Sequence, residues 1–192
     1  MVYTAERTPV LRLCYLLPYS FMIFYDIINI KELISLKGGL RMPRLIFHID
    51  VNSAFLSWEA TRRVSLGEED IRLIPSAIGG DRDKRTGVIL AKSIPAKKFG
   101  IKTGEPVAMA LRKCPDLFLA RPDFRLYEES SKAFMDICRE YAPVVEKYSI
   151  DECFLDMSGT HKIYPDPVAI AHTIKDKIRD TLGFTVNVGI SD

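Results

Sequence analysis

From Arg44 onward the chain breaks into short apolar runs separated by polar turns. Leu45-Ile46-Phe47-His48-Ile49-Asp50-Val51 is a compact apolar run that carries an acid near its end. It predicts a strand buried on both faces. Ser53 is placed to cap a helix reaching to about Leu66, and Gly67 closes it. Residues 71–78 alternate loosely and lead into the turn cluster Gly79-Gly80-Asp81-Arg82-Asp83-Lys84-Arg85. Gly87-Val88-Ile89-Leu90-Ala91 restarts an extended run, so the two stretches predict a small hairpin. Two short helices follow, around residues 95–99 and 105–114, and Pro115 ends the second.

The pattern then reads strand (117–120), helix (124–141), strand (144–148), strand (153–157), helix (166–182) and strand (184–190). Pro122 and Asp123 open the first of these helices, and Pro165 and Pro167 stand at the start of the second. With the opening strand and helix, this is a β-α-β-β-α-β order. The expected class is α+β, a ferredoxin-like antiparallel sheet with helices on one face. Residues 67–116 form an inserted small lobe, between a first part of the main unit at 42–66 and a second at 117–192.

Residues 1–41 read differently. The run from Leu11 to Tyr25 is apolar and aromatic, but Arg12, Pro18 and Asp26 interrupt it, which makes a poor membrane span. No small-residue cleavage site follows, so a signal peptide is unconvincing as well. Lys37-Gly38-Gly39-Leu40-Arg41 precedes Met42, and a purine-rich ribosome-binding sequence can encode those residues. Translation is therefore expected to start at Met42, with the apolar segment 1–41 untranslated or unfolded.

Composition narrows the function little. A net charge of +2 offers no bulk attraction for nucleic acid, so any basic surface must be local. Cys14, Cys114, Cys138 and Cys153 show neither C-x-x-C spacing nor paired histidines. Reduced thiols in a cytoplasmic protein are expected rather than a disulfide framework or a zinc site.

Three carboxylates carry the chemistry. Asp50 closes an apolar strand, and Asp151-Glu152 sit between Tyr148-Ser149-Ile150 and Cys153-Phe154-Leu155. An acid within an apolar strand must find a cation, a hydrogen bond or a metal. At a hairpin tip, Asp151 and Glu152 can both approach the strand end that bears Asp50. Clustered acids without a matching lysine or arginine suit Mg²⁺. Two such ions, about 3.5–4 Å apart, activate a 3′-hydroxyl and stabilise leaving pyrophosphate. Singly, each acid reads as a solvated strand end.

Phe47-His48-Ile49-Asp50-Val51-Asn52-Ser53-Ala54-Phe55 resembles the opening motif of the DinB/UmuC-type (ImpB/MucB/SamB) Y-family translesion DNA polymerases. Tyr148-Ser149-Ile150-Asp151-Glu152-Cys153-Phe154-Leu155-Asp156 is similar to their second catalytic motif. Gly79-Gly80-Asp81-Arg82, Gly87-Val88-Ile89 and the stretch from Pro95 to Lys102 resemble the fingers segment, and Val188-Gly189-Ile190-Ser191 the close of the palm. The resemblance implies a palm with inserted fingers and templated addition of deoxynucleotides to a primer 3′ end during DNA damage tolerance. It further implies that Asp50, Asp151 and Glu152 are catalytic and hold two Mg²⁺ ions, with the Val51 carbonyl as a further ligand and Mn²⁺ able to stand in. Phe55 becomes the steric gate under the sugar, and Lys97 the grip on the triphosphate where the family uses arginine, which loses the bidentate fork. Arg82, Lys84, Arg85, Lys92, Lys98 and Lys102 read either as a solvated loop or as a basic face near nucleotide and template.

The pattern departs from the family at Ala91 and Ile94, where triphosphate-touching polar residues are usual, and at Asn52 and Ala54. His48 reads as structural. The implied partners are primer–template DNA, a dNTP and a sliding clamp bound through a C-terminal region lying beyond this sequence, with no membrane. Thumb and little finger are expected beyond Asp192, so these 192 residues are expected to extend primers poorly. The alternatives are a palm-type nucleotide cyclase and an inactive remnant that binds metal and nucleotide.

Overall fold

The computed structural model describes residues 44–191; the readings made for segment 1–41, for Cys14 and for Asp192 lie outside the described residues. The first strand, β1 (Ile46–Val51), carries Phe47, Ile49 and Val51 at 0%, 0% and 2% exposure on its inner face. His48 and Asp50 occupy the other face and are only partly covered. The expected burial on both faces is therefore wrong. The polar residues at alternate positions mark one dry face and one open one.

The helix α1 (Ala54–Ser65) follows at once. Ser53 starts it, but not by side-chain capping: its backbone is left-handed (φ 48°) and its hydroxyl caps nothing. The expected cap fails because that conformation turns the side chain away from the first helical N–H groups. Only the last three residues of the loosely alternating stretch are strand, and with Gly79 of the turn cluster they form β2 (Ser76–Gly79). Just before it, Asp70 clamps the Arg72 backbone N–H at 3.0 Å and its guanidinium at 2.8 Å, while Arg72 Nη1 donates to the Gly183 carbonyl at 2.8 Å. This pins a turn where a strand was expected.

β3 (Ile89–Lys92) pairs antiparallel with β2, as the hairpin reading required. The short helices α2 (Ile94–Lys98) and α3 (Val107–Lys113) come next. β4 (Phe118–Ala120) then pairs parallel with β2. That strand, read in series with the larger sheet, belongs to a three-stranded sheet of order β3-β2-β4. One face of this small sheet sends Ile78 and Ala91 into the main core; the other packs Ala77 and Ile89 against Ala96, Ile101, Val107 and Ala110. Arg63 of α1 stacks over the Phe118 ring at 4.9 Å and ties α1 to β4.

The helices α4 (Phe124–Arg139) and α5 (Pro167–Leu182) are both capped by aspartate. Asp123 accepts from Leu126 N–H at 3.1 Å, and Asp166 from Val168 N–H at 2.9 Å. Gly183 ends α5 in the left-handed conformation (φ 74°). With β5 (Val144–Lys147), β6 (Glu152–Asp156) and β7 (Val186–Ser191), the large sheet has the order β5-β6-β1-β7. Split β-α-β units in that order form the expected ferredoxin-like α+β fold. Phe134, Ile174, Ile178 and Trp58 lie in the core beneath its inner face, all at or below 1% exposure. The outer face carries His48, Asp50, Glu152 and Phe154, all only partly covered. Among the described residues, no helix is long and apolar enough to cross a membrane.

Candidate active site

The antiparallel register of β1 and β6 sets Asp50 opposite Glu152 and His48 opposite Phe154. Directly opposed strand residues share a face, so both carboxyls stand on the open side of the sheet. They share a hydrogen bond, and the Asp50 carboxyl is pushed up to about 7 from its ordinary value of 3.8. Burial is the main cause; the hydrogen bond and charge of Glu152 and the charge of Asp151 add to it. Acids this close without a compensating cation cannot all ionise cheaply.

Asp151 precedes β6, in the turn that joins it to β5. Tyr148 and Ser149 N–H groups both donate to the Glu152 carbonyl, at 3.0 and 3.1 Å, which tightens that turn. The Ser149 hydroxyl donates to Asp151 Oδ1 at 2.6 Å. The Asp151 carbonyl accepts from Val51 N–H at 3.0 Å, stitching the turn to the end of β1. Asp50 and Glu152 thus converge while the Asp151 carboxylate is occupied by Ser149. Among the described residues, no group of three His, Cys, Asp or Glu is drawn close enough to hold a metal ion. The donor chemistry nevertheless fits a hard divalent cation, because oxygen groups face one another and one of them must keep a proton near neutral pH.

His48 stacks on Phe154 with ring centroids 4.7 Å apart. Its Nε2 is buried, has no hydrogen-bond partner, and lies 3.7 Å from Glu152 Oε2. Phe55, on the first turn of α1, is half-buried and stacks on Tyr127 at 4.5 Å and 19°. Phe124 meets Phe55 edge-on at 6.5 Å. The Phe55 ring is therefore fixed from below by α4. Tyr127 escaped the sequence reading; its only local signal is its place three residues after Phe124, on the inner face of an amphipathic helix.

On the other flank, Asn52 Nδ2 donates to Thr185 Oγ1 at 3.0 Å, and Asn187 Nδ2 donates to Asn52 Oδ1 at 2.8 Å. Neither Thr185 nor Asn187 was singled out by sequence, because nothing local says which strand lies beside β1.

The basic residues separate. Arg82 is committed to structure, donating to the Leu117 carbonyl and, at 2.9 Å, to that of Pro115. It belongs to no free basic face. Lys92 Nζ donates to Thr103 Oγ1 at 3.1 Å, and its ammonium is pushed down by burial and then by the charge of Lys97. Lys97, Lys98, Lys84, Arg85 and Lys102 are exposed on the small lobe. Cys138 and Cys153 are buried and free, as is Cys114. The Cys138 thiol is pushed up by its hydrogen bond to Cys153 and by burial, which makes it inert.

A family model described as the impB/mucB/samB family matches residues 49–192. DNA polymerase IV of Clostridium acetobutylicum is 50% identical over 151 residues, covering 78% of this chain and 38% of that protein. DNA polymerase IV of Alkaliphilus oremlandii is 37% identical, covering 79% and 37%. This chain thus spans less than two fifths of the length of these relatives. A solved Y-family DNA polymerase chimera, Dbh-Dpo4-Dbh, superposes with a TM-score of 0.66 at 24% identity, over 76% of this chain and 42% of that one. An insertion ternary complex of Dbh DNA polymerase gives 0.64 at 24% identity, over 77% and 42%. These likenesses establish the fold.

Proposed function

The chain belongs to the impB/mucB/samB family, and on that footing we propose that it carries the catalytic core of a translesion-type, template-directed DNA polymerase. Its substrates are then a primer–template DNA and a dNTP. The palm comprises β1, α1 and everything from α4 to β7; the fingers comprise β2 to β4 with α2 and α3. The observation that carries this reading is the pairing of Asp50 with Glu152 on an open sheet face. Two acids hydrogen-bonded to each other, with Asp50 holding its proton up to about 7, form a site short of positive charge.

Asp50, Glu152, Asp151 and the Val51 carbonyl would hold two Mg²⁺ ions, for which Mn²⁺ can substitute. Such ions supply Lewis-acid activation of the primer 3′-hydroxyl and neutralise charge on the leaving pyrophosphate. For its part, Asp151 has to turn from Ser149 toward Asp50, and Asp50 has to give up its proton to solvent. The Val51–Asp151 backbone bond keeps the two acidic segments in register throughout. Phe55, braced by Tyr127, presents a flat ring where the sugar of the incoming nucleotide would lie, so a 2′-hydroxyl meets carbon rather than a partner. Lys97 offers a point charge to the triphosphate.

Primer extension with Mg²⁺ and single dNTPs, for the wild type beside Asp151→Ala, tests the assignment. Extension that follows the template base and falls by about 10²-fold or more in Asp151→Ala is expected. Extension indifferent to Asp151 would overturn the reading. Conversion of ATP or GTP to a cyclic nucleotide would point to a cyclase. No transfer by this chain, and none after its fusion to the thumb and little-finger segments of a relative, would favour a remnant; transfer restored by the fusion would uphold the polymerase reading.

A further inference from the structure

Asn52 N–H donates to the Thr185 carbonyl at 3.0 Å. Four residues back, His48 lies against Gly189: a methyl placed there would sit 3.9 Å from the His48 carbonyl oxygen. Numbers fall along β1 as they rise along β7, so the two strands are antiparallel with Asp50 opposite Asn187. Burial agrees. Val51 and Val186, opposed one step away, face inward at 2% and 1% exposure, which sends Asn187 outward with Asp50. A row of side chains therefore crosses the open face: Glu152 on β6, Asp50 on β1, Asn187 on β7. Opposed Cβ atoms in such rows lie about 5 Å apart.

The orientation of the Asn187 amide follows from its neighbours. Asn52 Nδ2 donates to Thr185 Oγ1, so Asn52 presents Oδ1 to Asn187 and receives its Nδ2 at 2.8 Å. That bond draws the nitrogen toward Asn52 and engages one of its two N–H groups, which leaves the amide oxygen on the other branch of the amide to offer the row. A donor in this place would steady the Asp50 carboxylate as a structural pair. An acceptor instead adds a further oxygen to a row already lacking positive charge. Neutral amide oxygens are ordinary ligands for hard divalent cations, and fixed partners behind a ligand hold it in orientation.

We propose that Asn187 is a further oxygen donor of the acidic site, facing the divalent cation with Asp50 and Glu152, and that Asn52 and Thr185 are its positioning residues. The proposal rests on the polymerase reading for the cation itself. Asn187 thereby takes part in cation binding although it lies outside both acidic motifs.

Mn²⁺ binding to the 192-residue chain at pH 8, read from the electron paramagnetic resonance signal of free Mn²⁺, tests this directly. Asn187→Ala is expected to weaken binding about tenfold. Asn187→Asp, which keeps an oxygen and adds a charge, is expected to bind at least as tightly as the wild type. A merely structural role for the Asn187–Asn52 bond would damage both variants alike. Asn52→Ala should weaken binding too, and Asn52→Ala with Asn187→Ala should be no worse than Asn187→Ala alone. Affinity of Asn187→Ala within twofold of the wild type, or a loss in Asn187→Asp equal to that in Asn187→Ala, overturns the proposal. Asp50→Ala separates the two levels. If it abolishes Mn²⁺ binding while Asn187→Ala does nothing, only the present inference falls. If the wild type binds no Mn²⁺, both fall.

Discussion

Replacing Asp50 with asparagine should stabilise this protein while destroying its proposed chemistry. The folded chain holds the Asp50 proton up to about 7, against an ordinary value of 3.8. The folded state therefore binds that proton more tightly than the unfolded chain does. The resulting contribution is fully present below pH 3.8 and drains away as pH rises toward about 7. At about 1.4 kcal/mol per tenfold, the full span corresponds to about 4 kcal/mol. Water at a half-buried carboxyl screens part of it, leaving about 2 kcal/mol. Asparagine cannot ionise, and its amide N–H can still donate to Glu152, as the protonated acid does. At pH 8 without metal, Asp50→Asn should melt about 5 °C above the wild type. At pH 4 the two should coincide. Saturating Mg²⁺ should raise the wild type and leave the variant nearly unmoved. The assay is thermal denaturation by circular dichroism at both pH values, with and without Mg²⁺. Equal melting temperatures at pH 8, or a difference that persists at pH 4, would refute the electrostatic account of Asp50.

Other changes act through different causes. Phe55→Ala removes the ring stacked on Tyr127, and should raise ribonucleotide incorporation relative to deoxynucleotide by about tenfold or more in single-nucleotide extension. Glu59 is buried at 3% exposure and paired with Arg62 at 2.6 Å. Glu59→Gln leaves the exposed Arg62 without its anion, while Arg63 keeps Glu68 at 2.7 Å, and should cost about 1–2 kcal/mol in urea denaturation. Gly80→Ala drives a methyl into the Thr86 carbonyl oxygen. It should cost about 2 kcal/mol or more, and hydrogen exchange should place the loosening in the β2–β3 hairpin.

What the sequence displayed and what it concealed follow from where the determining contacts lie. α4 and α5 were legible because an aspartate cap, a proline and a periodic apolar face all lie within one stretch of chain. The acids were legible because Asp50 and Asp151-Glu152 interrupt apolar strands. The one-sided burial of β1 was concealed, since what partly covers its outer face includes the stack of His48 on Phe154, a residue more than a hundred positions away. β4 was read into the larger sheet because strand propensity carries no record of a partner, and its partner β2 lies across two helices. Charge misled in the same way. Arg82 and Lys97 are equally cationic on paper, yet Arg82 is consumed by two carbonyls of the α3–β4 connection. The Tyr127 brace and the Asn187 row depend on register and helix packing.

These contacts also explain why this site can be both costly and persistent. Val51 N–H to the Asp151 carbonyl, and Asn52 N–H to the Thr185 carbonyl, fix the end of β1 from both sides. Backbone bonds of that kind do not depend on which side chains are ionised. They hold Asp50 between Glu152 and Asn187 even while the carboxyls repel. Strands free to slip would relieve the repulsion by separating, and no charge-deficient row would remain for a cation to complete. In the proposed site, the rigidity of the sheet would convert mutual repulsion into affinity for positive charge. The acids matter for what they bind, and the neighbouring strands matter because they prevent the acids from escaping one another.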